Sequence, residues 1–376
     1  MVETDVFGAL ARIGHDVPGG IEIRRPEERP DDQGYFGASP PKYHPLTEAE
    51  LAETLRKLPE RPMLVGVDGI SMSMAGAQNK LPVARLKSGE IALALNNAPT
   101  THIIKPQPKN LRVAVENETF CMRLAAAIKL TAAKVEMGMA EEVSYILVER
   151  YDREMINGDV HRIHQEDFCQ TTGNFPFNKY EFNPHTHTHG PTLKTCLSSL
   201  EKSSSPGVNK VRFLDYLIFN IACGNVDAHA KNYSILLTSE NKQRMTPIYD
   251  VMNGDIYPDV TRNLAMKIAG KNRGDYLFAR HWERMAKENG FSETMVKRRV
   301  AAITEAILRE IDGVIAQCNE ERRSDAFSEI AGYIRSHCRN LKANIDAEPK
   351  EGIEEEPDKI VEDENTPAPG VKHISP

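Results

Sequence analysis

Long apolar runs, cysteine pairs and a basic charge excess are all missing from this chain of 376 residues. No apolar run reaches the roughly 18 residues of a transmembrane helix, and no secretory pattern opens the sequence, so a cytoplasmic protein with no membrane contact is expected. The six cysteines, Cys121, Cys169, Cys196, Cys223, Cys318 and Cys338, are widely spaced with no C-x-x-C. That spacing reads as buried free thiols in a reducing cytosol. The formal net charge of -7 is confined to the C-terminal end: from Asp346 onward there are ten acidic and three basic residues, and the remainder carries 44 of each. A neutral body lacks the basic footprint of an autonomous nucleic-acid binder. A Walker A loop, G-x-x-x-x-G-K-[ST], is also absent.

The composition that remains is 40% hydrophobic and 27% charged, ordinary for a globular protein long enough to build two lobes. Its most informative stretch is Asn225-Val-Asp227-Ala-His229-Ala-Lys231-Asn232, followed 18 residues after Asn232 by Asp250 in Pro247-Ile-Tyr249-Asp250. Phosphoryl transfer from ATP needs a carboxylate to take the acceptor hydroxyl's proton and oxygen ligands for magnesium. Kinases draw these from a D-x-x-x-x-N loop and a later Asp. Asp227 is the candidate base, with Asn232 and Asp250 as metal ligands. The alternative is that Asp227, His229 and Asn232 only close turns.

The surroundings favour the chemical reading. Val211 to Cys223 is a mostly apolar stretch of helical length, too continuous for a surface helix. Gly224 supplies a stop, and Tyr233–Thr238 reads as a strand. Asn241–Arg244 reads as a turn and Thr246–Val251 as a second strand. Earlier, residues 1–25 suggest a short helix, a Pro-Gly-Gly turn and a strand. Thr47 with Glu50 forms a capping box that starts a helix. Strand alternation in KLPVARL, IALAL and THIIK precedes a helix over Glu116–Leu130 and a strand over Val143–Glu149. Beyond residue 210 the pattern is mainly helical, including Ser292–Asp312 and Asp325–Lys342. The Pro- and Glu-rich end cannot bury enough apolar surface to order itself. These readings divide the chain into an N-terminal unit with its loop (1–60), a β-rich lobe (61–150), a helical lobe (151–343) and an acidic tail (344–376).

Lys105 ends a strand and is followed by a helix carrying Glu116 and Glu118. That arrangement holds a phosphate-binding ammonium, oriented by a Glu; Glu118 is the first choice and Glu116 the second. In Ser71-Met-Ser73-Met-Ala75-Gly76-Ala77-Gln78-Asn79-Lys80 the small residues Ala75 and Gly76 let backbone N–H groups approach phosphates, and Ser73 offers a hydroxyl. Val148–Arg153 joins the two halves as a hinge, where main-chain groups of Glu149 and Tyr151 are placed to meet an adenine edge. His185, His187 and His189 alternate like a metal clip, but with no Cys or carboxylate beside them they read better as a polar loop.

Taken in order, Phe7 to Ile23, SMAGAQNK (73–80), THIIKP (101–106), ENETFCMRLA (116–125), VERYDR (148–153), HQEDFCQTTG (164–173), GNVDAHAKNYSI (224–235) and TPIYDV (246–251) resemble the HipA family of bacterial Ser/Thr kinase toxins. The resemblance implies an α+β, bilobal protein-kinase-like fold and use of ATP with Mg2+. It implies Asp227 as base, Asn232 and Asp250 on metal, Lys105 on phosphate, and His229 and Lys231 as phosphate or substrate contacts. Ser73 is implied as an autophosphorylation position, with Ser71 as the alternative. Gln165–Gln170 matches a family signature with no evident physical role. Family members act beside a helix-turn-helix antitoxin that contacts DNA, and several phosphorylate aminoacyl-tRNA synthetases. Longer members carry an extra subdomain before the segment matching Phe7–Ile23. The chain is therefore similar to the shorter, HipT-type toxins of three-component systems, in which a separate small protein corresponds to that subdomain. Two other readings stand beside this one: a small-molecule kinase on a related fold, and a non-catalytic kinase-like binding module.

Overall fold

Alternating apolar residues build the first half of the molecule into one antiparallel sheet. The computed structural model describes residues 16–21, 42–59, 79–183, 186–238 and 242–347. The sheet comprises β1 (Lys42–Pro45), β2 (Leu81–Arg85), β3 (Ile91–Leu95), β4 (His102–Pro106), β5 (Val135–Ala140) and β6 (Val143–Glu149), in the order β1-β3-β2-β4-β6-β5. Register sets Lys105 opposite Ile146, so the central strands β4 and β6 fix where the Lys105 side chain emerges. The helix Glu48–Lys57 covers one face. Thr47 Oγ1 accepts from the Glu50 N–H, and Glu50 accepts from the Thr47 N–H at 2.8 Å, the reciprocal cap read from the sequence. Leu51, Leu55, Leu81, Val83, Ile104 and Leu147 close this smaller core.

A second, larger core joins the helix Ala114–Ala127 to the helical half. Pro206–Ala222 runs through its centre and is buried on every side from Tyr216 to Ala222, as its continuous apolar sequence requires. Glu293–Glu321 and Asp325–Asp346 wrap around it, with Phe120 stacked on Phe327 at 6.1 Å. All six cysteines are buried and unpaired in disulfides. No helix among the described residues is long and apolar enough to cross a membrane.

The hairpin after the Asn225–Asn232 loop differs from its sequence reading. Its first strand is Ser234–Leu237, but the partner is Gln243–Met245, not Thr246–Val251. Pro247 has no N–H for a ladder, and Asp250 sits at φ 61°, outside strand geometry. Only Ile248 makes an isolated bridge, to Ala132. The other edge of Ser234–Leu237 is taken by His164–Asp167. Several strands were not expected, among them Lys42–Pro45 and Val135–Ala140 in the large sheet and His164–Asp167 beside the hairpin. Of residues 1–25 only Asp16–Ile21 is described; the helix and strand expected there lie outside the described residues, as does the acidic tail beyond residue 347.

Candidate active site

The catalytic-type loop rises from the buried helix Pro206–Ala222 through Gly224, whose φ of 68° suits glycine. A Cβ there would lie 2.5 Å from Asp255 Oδ2 and 2.8 Å from Asn253 Nδ2, so the close approach also demands glycine. Buried asparagines then carry the loop. Asn225 donates to Asn220 Oδ1 at 2.7 Å and accepts from the Asp227 N–H at 3.2 Å. Asn232 Nδ2 donates to the Asp227 carbonyl at 3.0 Å, closing the loop on itself. Asn117 and Asn253 exchange reciprocal bonds of 2.9 and 2.8 Å, tying the Ala114–Ala127 helix to the segment after Asp250. These bonds replace the water that the buried polar backbone has lost.

At the mouth of this platform the Lys105 ammonium donates to Glu118 Oε1 and to Asp250 Oδ1, each at 2.6 Å. Glu116 is directed elsewhere, to Arg322 at 3.4 Å. Burial works against the Lys105 charge, but the Asp250 and Glu118 carboxylates outweigh it and hold the ammonium protonated. Burial likewise opposes ionisation of Asp250, and the ammonium groups of Lys105 and Lys80 overcome it, leaving a carboxylate well below its usual range. Partial burial lowers the Lys80 pKa despite the field of Asp250. Asp250 also holds a left-handed φ of 61°, a strained conformation for a non-glycine residue of the kind found at ligand clamps.

Asp227 lies in different surroundings. Tyr180 Oη donates to its Oδ1 at 2.6 Å, and His229 Nε2 lies 3.8 Å from its Oδ2. Burial pushes the Asp227 carboxyl up to about 7, only partly offset by Lys179 and the Tyr180 hydrogen bond. Burial, with Lys179 adding repulsion, pushes His229 down to about 3, so its imidazole is neutral. Its buried Nδ1 has no hydrogen-bond partner among the described residues.

Other quoted residues fall around this centre. Lys231 is paired with Asp167, and its carbonyl accepts from Tyr249 Oη at 2.8 Å. Asp167 also caps the turn Phe168–Thr171, so the 164–173 signature braces the loop from below. Tyr151 packs on Tyr249 with ring centroids 5.4 Å apart. The Glu149 N–H is engaged by the Lys134 carbonyl at 2.9 Å, and its carboxylate faces Lys134. Ser71, Ser73, Ala75 and Gly76 lie outside the described residues, as does His185. His187 and His189 pack edge-on or tilted against Phe182. No cluster of three or more metal-ligating His, Cys, Asp or Glu residues exists among the described residues.

Three residues of the site escaped the sequence reading. Lys80 was quoted only within a motif, and Lys179 and Tyr180 carried no signal beyond a polar Gly-, Asn- and Pro-bearing segment. Their contribution depends on a chain crossing that local sequence does not encode.

The chain matches the family profile described as "HipA-like C-terminal domain" over residues 72–312. It is 38% identical over 327 residues to Y4mE of Sinorhizobium fredii, provisionally named a kinase, spanning 86% of this chain and 74% of that one. It is 30% identical over 273 residues to the serine/threonine-protein kinase toxin HipA of Shewanella oneidensis, spanning 70% of this chain and 60% of that one. In three dimensions it is similar to the HipA chain of a Shewanella oneidensis complex of HipA, HipB and operator DNA. The TM-score is 0.76 at 24% identity, over 93% of this chain and 82% of that one.

Proposed function

The chain belongs to the HipA-like kinase family, and from that premise we propose that it is a serine/threonine kinase toxin moving the ATP γ-phosphate to a protein hydroxyl. One observation carries the proposal: a buried, weakly paired carboxylate, Asp227, shares a loop with Asn232, beside the ion-paired cluster of Lys105, Glu118 and Asp250. A base that must accept a proton near neutral pH benefits from a raised pKa, and burial gives Asp227 that property. Lys105, held protonated and oriented by Glu118, is suited to phosphate oxygens.

Asn232 uses its side-chain N–H on the Asp227 carbonyl, which leaves its Oδ1, with the ionised Asp250, as the oxygen ligands that would hold a metal. Few ligands, all oxygen, fit Mg2+, which keeps several waters of its own. When bound, the ion neutralises charge on the transferring phosphate. Neutral His229, whose Nδ1 has no hydrogen-bond partner among the described residues, adds a polar contact for phosphate or acceptor.

The remaining assignments of this reading lie around that centre. Ala75 and Gly76 cover the nucleotide, backbone groups of Glu149 and Tyr151 meet the adenine, and Ser73, or else Ser71, is autophosphorylated. A helix-turn-helix antitoxin provides the DNA contacts that a neutral body lacks, and a small separate protein covers the N-terminal unit. Aminoacyl-tRNA synthetases are the substrate class to test first.

The test is transfer of labelled γ-phosphate from ATP to lysate proteins by the wild type and by Asp227→Asn, followed by phosphopeptide mapping. Protein-bound label on Ser or Thr that depends on Asp227 supports the reading. Label appearing only on small molecules, or none at all, would remove it.

A further inference from the structure

We propose that Tyr180 is a positioning residue for phosphoryl transfer: its hydroxyl commits one oxygen of Asp227 and keeps water away from the base. The inference rests on the kinase reading above and extends it to a residue on a different segment of the chain.

A carboxylate base has two oxygens and rotates easily unless something holds it. Here the Tyr180 phenol donates to Oδ1 at 2.6 Å, while Oδ2 lies 3.8 Å from His229 Nε2. With Oδ1 committed, Oδ2 is the oxygen left for an acceptor hydroxyl. A phenol suits this duty. It is neutral, so it orients the carboxylate without the permanent ion pair that Lys105 imposes on Asp250.

The phenol is itself held firmly. The Lys179 carbonyl accepts from the Ala230 N–H at 3.0 Å, inside the catalytic loop. On the other side the Glu181 N–H donates to the Ala265 carbonyl at 3.1 Å, and Glu181 Oε2 accepts from the Lys267 N–H at 2.7 Å. The ring stands edge-on to His229 at 5.3 Å, with Lys179 Nζ 5.0 Å from its centroid. Both backbone neighbours and both sides of the ring are therefore fixed, the condition for a preorganised donor.

Removing the hydroxyl alone opens space for one oxygen beside the base. A water there would be hydrogen-bonded to Asp227 as a competing acceptor. Its oxygen would bond to the γ-phosphorus as the bond to the β–γ bridging oxygen breaks; its proton would pass to Asp227, and ADP and free phosphate would leave. Loss of Tyr180 thus predicts hydrolysis in place of transfer.

The experiment compares wild type, Tyr180→Phe, Tyr180→Ala and Asp227→Asn for protein-bound label, free phosphate and ATP KM. In Tyr180→Phe, protein labelling should fall about tenfold, the size of one hydrogen bond to an ionised group. The ratio of free phosphate to protein-bound label should rise several-fold, with ATP KM unchanged. Tyr180→Ala should raise that ratio further. Unchanged labelling and ratio in Tyr180→Phe, with an active wild type, overturns this role and leaves the kinase reading standing. A parallel loss of both products with a raised ATP KM also overturns it, because a merely structural residue would behave so. A wild type without Asp227-dependent label refutes the kinase reading and this inference with it.

Discussion

At the hinge, the Asp16 carboxylate accepts from Thr100 and from the guanidinium groups of Arg150, Arg153 and Arg162, and Asp152 accepts from Arg150 and the Gly19 N–H. In the cleft, the similarly buried Asp227 accepts one phenol hydroxyl. Burial pushes all three carboxyls up, yet the outcomes diverge. The guanidinium groups bring Asp152 down to about 2 and hold Asp16 below the usual carboxylate range, whereas Asp227 rises to about 7. The hinge cluster gives each carboxylate at least two guanidinium partners and anchors the segment around Asp16 to residues 150–153. Asp227 is left with fewer partners, which costs stability and, on the proposed reading, leaves room for an acceptor hydroxyl. Buried carboxylates with several cationic partners suit a fastening, whereas one left short of them is the kind suited to chemistry.

The contrast is sharpest under neutralisation of a single carboxylate. Asp227→Asn should lower phosphoryl transfer by about two orders of magnitude or more while leaving the melting temperature equal or raised, because it removes a poorly compensated buried charge. Asp250→Asn should lower transfer comparably. A melting temperature well below wild type in Asp227→Asn would place that residue with the fastening charges instead.

Asp16→Ala should do the reverse. Three guanidinium groups lose a shared partner, and breaking such buried pairs typically costs about 3–5 kcal/mol. Denaturant titration reads this directly, and a loss near zero would show that the hinge cluster is not a fastening.

A smaller effect tests the platform that carries both Asp227 and its loop. Gly224→Ala forces a side chain into φ 68° against Asp255, which is itself held by His337 at 2.7 Å. The strain should cost about 1–3 kcal/mol, with activity falling in parallel. Retention of full stability and activity would mean that the close contact relaxes freely.

The smallest expected effect is in acid. Asp152 has a folded pKa below its unfolded value of 3.8. Its contribution is therefore present above about pH 4 and lost as pH falls toward about 2. Stability measured across that window should decline less steeply in Asp152→Asn than in wild type; parallel curves would remove Asp152 from the pH response.

Much of this was readable in one dimension. The spacing of Asp227, Asn232 and Asp250, the apolar run before them, and Lys105 at a strand end followed by a helix bearing Glu118 are local patterns whose periods report backbone geometry. The Thr47–Glu50 cap is equally local. The second strand of the hairpin was misplaced because the apolar pattern of Thr246–Val251 outweighed the missing N–H of Pro247. Lys179 and Tyr180 were invisible as site residues, since nothing nearby in sequence marks a phenol that will meet a carboxylate 47 residues away.

By itself, then, the sequence determined the main helices, most strands of the large sheet, the family and the residue types able to accept a proton, bind phosphate or hold a metal. Those follow from short-range periodicity and from the chemistry of each side chain. Only the tertiary structure decided that Asp16 is saturated with guanidinium groups while Asp227 is left nearly bare, and that Lys105 pairs with Glu118 and Asp250 together. Burial and partner choice are set by chain crossings far apart in sequence, and they, more than residue identity, fix the charge state on which function depends.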